Sequence, residues 1–141
     1  MEIIELKEYL PHYFEAIHKL CTQLLSDCNL SEEYLREIIE SENTHLFLAL
    51  EEETVLGMLS VGIYKTPTGV KAWIEDVVVD SQARGKGLGR KLMLHAIDFT
   101  KKGNVDTLML TSRPSRITAN KLYQSLGFEK RETNVYRMTT R

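Results

Sequence analysis

The sequence predicts an α/β (α+β) fold in one domain: a central mixed, mostly antiparallel sheet with helices on both faces. Three observations predict it. Two helix-period stretches precede two extended segments joined by short turns. A strand-like run ending in three valines then enters a glycine-rich turn and a helix, and the remainder alternates strand, helix, strand. With 141 residues, 43% hydrophobic and 27% charged, residues 1–141 suit a single hydrophobic core.

Each element has its own signal. EIIEL at 2–6 reads as a short edge strand. Leu10, Phe14, Ile17, Cys21, Leu24 and Cys28 recur at spacings of four and three, the period of one amphipathic helix, and Pro11 falls in its first turn, where proline is tolerated. Ser31 is a good N-cap, with Glu32 and Glu33 in the first turn of a helix that buries Leu35, Ile38 and Ile39. Extended segments follow at 45–51 and 54–65, and Pro67 and Gly69 make the next turn. Such short connections imply antiparallel pairing. The segment 72–80, AWIEDVVVD, reads as a central strand covered on both faces. A helix over 87–102, a strand over 105–112, a helix over 115–126 closed by Gly127, and one or two final strands over 128–140 complete the order.

Composition excludes several function classes. No apolar stretch reaches the length of a membrane span and no leader pattern opens the chain, so a soluble, cytoplasmic protein without membrane contact is expected. Cys21 and Cys28, seven apart on one predicted helix face, suit packing better than a disulfide or a metal site. His12, His18, His45 and His95 have no metal-ligand or Ser-His spacing, and no metal is expected. The net charge of −2 hides an asymmetry: residues 1–83 carry 5 Lys+Arg and 16 Asp+Glu, whereas residues 84–141 carry 13 and 4. A basic half attracts polyanions, either nucleic acid or a phosphorylated small molecule. The basic residues are scattered among apolar ones and no nucleic-acid motif is present, so nucleic acid is not an expected partner.

The sharpest local feature is Gln82-Ala83-Arg84-Gly85-Lys86-Gly87-Leu88-Gly89-Arg90, between the predicted central strand and the helix after it. Glycines let the backbone turn tightly and approach a ligand, and the N–H groups of a first helical turn hold an anion. Arg84, Lys86, Arg90 and Lys91 surround the spot with cationic side chains. The segment lacks the Gly-Lys-Ser/Thr ending of a P-loop, and Arg90 stands where a GxGxxG dinucleotide fingerprint needs its last glycine.

This loop resembles the GNAT superfamily of N-acetyltransferases, whose signature Q/R-x-x-G-x-G/A follows a central strand. Here it reads Gln82-x-x-Gly85-x-Gly87, within IEDVVVDSQARGKGLGRKLM. A second block, LTSRPSRITANKLYQSLGF at 110–128, is similar to the later strand and helix of the family and ends in its Ala-x-x-x-Tyr-x-x-x-Gly-Phe pattern at Ala119, Tyr123, Gly127 and Phe128. Together the blocks cover about 73–128 in the right order and spacing.

The resemblance implies a GNAT-like sheet splayed between two neighbouring parallel strands, with acetyl-CoA as co-substrate in the opening. It also implies direct, sequential transfer of the acetyl group to an amine of a small molecule or peptide. By it, the backbone of Val77 and Val79 pairs with the pantetheine arm, the loop from Arg84 through Gly85, Lys86, Gly87, Leu88 and Gly89 to Arg90 wraps the pyrophosphate, and Gln82 and Asn120 add hydrogen bonds. Tyr123 is the candidate acid for the leaving thiolate and a cofactor neighbour; its apolar helical face, with Ala119, Leu122 and Leu126, equally suits a buried structural tyrosine. Glu75 and Asp76 are the candidate bases. Consecutive in a strand, they are expected on opposite faces, and either could instead hold an ammonium or make a structural hydrogen bond. The acceptor is expected near 10–42 and 128–138, where acidic helices and Arg131 and Arg137 give conflicting clues to its charge. Members of the family are often dimers, and a homodimer is compatible with the resemblance. The alternative reading is a coenzyme A-binding regulatory module of the same fold with weak or no transferase activity.

Overall fold

Residues 46–50 are a continuous apolar run, Leu-Phe-Leu-Ala-Leu, all of it buried, which requires cover on both faces of the strand they form. The computed structural model, which describes all 141 residues, supplies that cover. It comprises two compact units, Met1–Leu110 and Thr111–Arg141.

The first unit carries β1 (Glu2–Glu5), α1 (Pro11–Leu24), α2 (Glu32–Glu40), β2 (Thr44–Glu51), β3 (Thr54–Thr66), β4 (Gly69–Val79), a 3-10 turn at Ser81–Ala83, α3 (Leu88–Lys102) and β5 (Thr107–Met109). The strands form one mixed sheet of order β1-β2-β3-β4-β5, antiparallel except for the β4–β5 pair. Leu46, Leu48 and Leu50 of β2 join Met58, Val78, Ile17, Leu20 and Leu35 in one core, which places α1 and α2 on that face. On the other face the ring of Phe47 packs edge-on against His95 and Phe99 of α3, with centroids 4.8 and 5.0 Å away. The helices of this unit therefore cover both faces of the sheet, as expected.

Local signals account for most element ends. Ser31 Oγ accepts the Tyr34 N–H at 3.0 Å and caps α2. The β2–β3 hairpin turns through Glu52 and Glu53, both left-handed at φ 49° and 70°, the backbone that matches strand twist in a two-residue turn. Two expectations are corrected. Helix α1 stops at Leu24, with Leu25 already extended, so Cys28 is not on the helix. Ser26, Asp27 and Asn29 follow, whose side chains compete for backbone hydrogen bonds. Strand β5 spans only 107–109 rather than 105–112, and its parallel pairing with β4 ends at Trp73↔Met109. Beyond Trp73, β4 continues alone on that side to Val79, so these two parallel strands do part, as the resemblance implied.

A β-bulge breaks β4 at the candidate bases. Glu75 lies opposite Ser60 and Val78 opposite Met58, so Asp76 and Val77 together oppose Leu59. Asp76 takes up the extra residue in a left-handed conformation, φ 51°. Ser60 shares a face with Leu46 and Met58, and Glu75 shares it with them.

In the second unit, α4 (Ile117–Ser125) is shorter than the expected 115–126 and leads into Gly127 at φ 103°, where the Phe128 N–H donates to Tyr123 O at 3.1 Å. No strand forms over 128–140; residues 129–141 are exposed and without regular structure. Thr133, Val135 and Tyr136 have strand propensity, but propensity makes no strand without a ladder partner.

Candidate active site

The glycine loop grows out of β4 through a side-chain cap. Asp80 ends the strand, its N–H still donating to Leu56 O at 2.8 Å, while its Oδ1 accepts the Gln82 N–H at 3.0 Å. That hydrogen bond, helped by Lys19 Nζ at 3.6 Å, holds the Asp80 carboxyl below its ordinary value against the smaller opposing effect of desolvation. Gln23 Oε1 accepts the Ser81 N–H at 3.0 Å and ties the same turn to α1. Gln82 is exposed, as are Arg84, Gly85 and Lys86, while Leu88 is buried and anchors the start of α3. Gly85 and Gly87 are both left-handed, at φ 85° and 75°, and a Cβ at either would meet nothing within 4 Å. Backbone conformation, not crowding, therefore selects glycine there. Gly87 is the N-cap of α3 and offers no side-chain cap. The first turn of this helix, which includes Gly89 and Arg90, thus opens from an N-cap residue that supplies no side-chain hydrogen bond of its own.

Alternation along β4 orients its edge. The Asp80 N–H points to β3, so the backbone groups of Val79 and Val77 point the other way, to the side where β5 has ceased to pair.

Glu75 and Asp76 are both exposed residues on this bulged segment. Their expected placement on opposite faces assumed a regular strand; strict alternation holds only while the register does, and the bulge with Asp76 in a left-handed backbone interrupts it. The charge of Asp76 reaches both Glu75 and Cys21 of α1. Partial desolvation, and after it the Asp76 charge, raises the Glu75 carboxyl above its ordinary value, the direction that suits a base working near neutrality. Nearby, burial and a hydrogen bond with Cys28 push the Cys21 thiol up to about 12, so it stays protonated at neutral pH and is a poor nucleophile.

In the second unit Tyr123 is buried, 7% exposed, with its ring 6.3 Å from Phe128 in an edge-on arrangement. Asn120 Nδ2 donates to Arg113 O at 2.9 Å and Arg116 O at 2.7 Å, so its amide hydrogens brace the start of α4. Among the histidines, cysteines and carboxylates no group is arranged to hold a metal ion.

Sequence reasoning missed three residues beside Glu75. Trp73 Nε1 donates to Tyr64 Oη at 2.9 Å. Both lie on the Glu75 face of the sheet, and Gly62, directly opposite Trp73, leaves open space where a side chain would stand. A lone tryptophan two residues before the candidate base, together with a glycine inside a strand, was the available signal. A separate cavity of about 270 Å³ adjoins Lys19, Glu53 and Asp80. It contains none of the candidate residues, and the charges of Lys19 and Asp80 are engaged with each other.

Comparisons with known proteins bear on the family and the fold. The model of the Acetyltransferase (GNAT) family matches residues 7–128. The mycothiol acetyltransferase of Renibacterium salmoninarum is 38% identical over 88 residues, covering 60% of this chain and 26% of that protein. The [ribosomal protein bS18]-alanine N-acetyltransferase of Escherichia coli K12 is 42% identical over 60 residues, covering 43% of this chain and 40% of that protein. The chain thus spans well under half the length of these curated relatives. In fold it is similar to a putative acetyltransferase from Agrobacterium tumefaciens, with a TM-score of 0.87 at 22% identity over 99% of this chain and 100% of that one. A family match over most of the length, on a chain with this glycine loop and these parted parallel strands, means that this chain belongs to the GNAT acetyltransferase family.

Proposed function

We propose that the chain transfers the acetyl group of acetyl-CoA, the donor the family uses, directly to an amine. The observation that carries the reading is the uncapped N-terminus of α3 at Gly87, next to a β4 edge that β5 has left unpaired. Backbone amides from Arg84 to Arg90 hold the pyrophosphate, with Arg84 and Lys86 adding charge, and Gln82 and Asn120 give further polar contacts. The backbone of Val77 and Val79 pairs with the amides of the pantetheine arm, laying the thioester along β4.

The neutral amine attacks the thioester carbonyl carbon; a C–N bond forms and the C–S bond breaks. Glu75 accepts the amine proton, its carboxyl kept basic by partial desolvation and, after it, by the Asp76 charge, and Tyr123 protonates the departing thiolate. The products are the amide and free CoA. The raised carboxyl of Glu75 supports its role as base.

The test is the melting temperature of the purified protein against acetyl-CoA, with ADP and NAD as controls. A ligand that binds only the folded state contributes about 2.7 kcal/mol at a hundredfold excess over Kd. A saturable rise specific to acetyl-CoA is expected; no rise at millimolar ligand refutes the reading.

A further inference from the structure

The face of the sheet that carries Glu75 is not covered along its whole length. Toward α1 and α2 it closes over Met58 and Val78, which lie in the core. In the other direction Gly62 lies opposite Trp73 and Tyr64 opposite Lys71. Tyr64 is 47% exposed. Gly62 is not among the glycines with positive φ, and a Cβ built on it would touch nothing within 4 Å. Neither backbone conformation nor crowding demands glycine there, and glycine is unfavourable within a strand unless something approaches the backbone. The result is an open floor at Gly62 beside an indole whose orientation is held by the hydrogen bond from Trp73 Nε1 to Tyr64 Oη. Trp73 and Glu75 are two residues apart on one strand and share a face, so their Cα atoms stand about 7 Å apart.

We propose that this floor is the subsite for the body of the acceptor, that Trp73 is its specificity-determining residue, and that it takes an amine carried on a hydroxylated ring, an amino sugar. The inference rests on the transfer reading above and names its substrate class. Strand β3 is paired on both sides, to β2 and β4, so an extended peptide finds no backbone partner over Gly62 and recognition falls to side chains. Those side chains are an indole, a phenol, the Ser60 hydroxyl and the Glu75 carboxylate, with the charge of Asp76 reaching Glu75. An aromatic face takes the C–H face of a sugar ring, a hydroxyl its hydroxyls, and carboxylates its ammonium. Charge sets the direction. Lys71 stands at the Tyr64 end and the Glu75 carboxylate at the other, so the reacting amine is drawn to Glu75, within a half of the chain that carries 16 acidic and 5 basic residues.

Trp73 is the only tryptophan, so its fluorescence reports this floor directly. Titration with kanamycin, at saturating acetyl-CoA, is expected to change the emission saturably, and tri-alanine to leave it unchanged. Gly62→Val, which fills the open space without a clash, is expected to remove the kanamycin response and to raise KM for kanamycin at least tenfold with kcat little changed, while the acetyl-CoA melting shift stays as in the wild type. Trp73→Phe is expected to raise the same KM. Unchanged emission at millimolar kanamycin, acetylation of tri-alanine in preference to kanamycin, or an unaltered KM in Gly62→Val overturns the proposal. Failure of the donor reading is distinguishable, because it removes the acetyl-CoA melting shift itself, which none of these variants touches.

Discussion

The bulge at Asp76 permits a test that separates backbone from charge. Asp76→Ala and Asp76→Gly remove the same carboxylate, but at φ 51° alanine carries a left-handed cost of roughly 1–2 kcal/mol that glycine does not. Glycine has its own cost, a more flexible unfolded chain, of about 0.4–1 kcal/mol. The glycine variant should therefore be the more stable of the two by about 1 kcal/mol, equivalent to roughly 3–4 °C in melting temperature for a chain of this size. Paired thermal unfolding, followed by circular dichroism in one buffer, reads this difference. Both variants also remove the charge that helps raise Glu75, so the acid limb of kcat/KM should move to lower pH equally in each. It should remain above the ordinary carboxylate range, because desolvation, the larger cause, is untouched. Equal melting temperatures would refute the left-handed bulge, and an acid limb unmoved in both would refute the coupling of the two carboxylates.

Three further outcomes follow from the same geometry. Glu75→Gln should lower kcat by about 10²–10⁴-fold and abolish the acid limb. Because the folded-state carboxyl is raised, it binds its proton more tightly folded than unfolded, so stability falls as pH rises through that window; the variant should lose this dependence in denaturant titrations between pH 4 and 8. Asp80→Ala removes the cap on the 3-10 turn and should cost about 1 kcal/mol at pH 7. The Asp80 carboxyl is lowered on folding, so its contribution is present above the unfolded value and is lost as pH falls through the folded one; below that point wild type and variant should converge. Leu92→Ala, at a fully buried position of α3, should cost about 2–5 kcal/mol in urea unfolding without changing KM for the acceptor.

Much of the fold was legible because it is local. Period, caps and turn residues placed α2, the β2–β3 hairpin and α3 close to where they lie, and the glycines at 85 and 87 announced their left-handed backbone. The features that were not legible depend on register. No count along AWIEDVVVD shows that Asp76 and Val77 share one partner in Leu59, so the regular alternation assumed for Glu75 and Asp76 is interrupted there. The same pairing brings Gly62 against Trp73 and Tyr64 within reach of its indole, eleven and nine positions away in the chain. At 128–140 the error ran the other way: strand-forming residues were read as strands although a ladder is a property of two segments.

The order of the sheet has a consequence for how the molecule is made. Each strand pairs with the one synthesised just before it, β1 through β5 in sequence, and the antiparallel part is complete once Val79 has emerged. A growing chain can close β2 on β3 and β3 on β4 by adjacent hairpins, at small loop-closure entropy. Only the parallel addition of β5 must wait for α3 to cross over, and it gains three residue pairs. The segment that carries the glycine loop thus follows a platform whose antiparallel pairs are all local in sequence, and the opening beside β4 lies where the three β4–β5 pairs end.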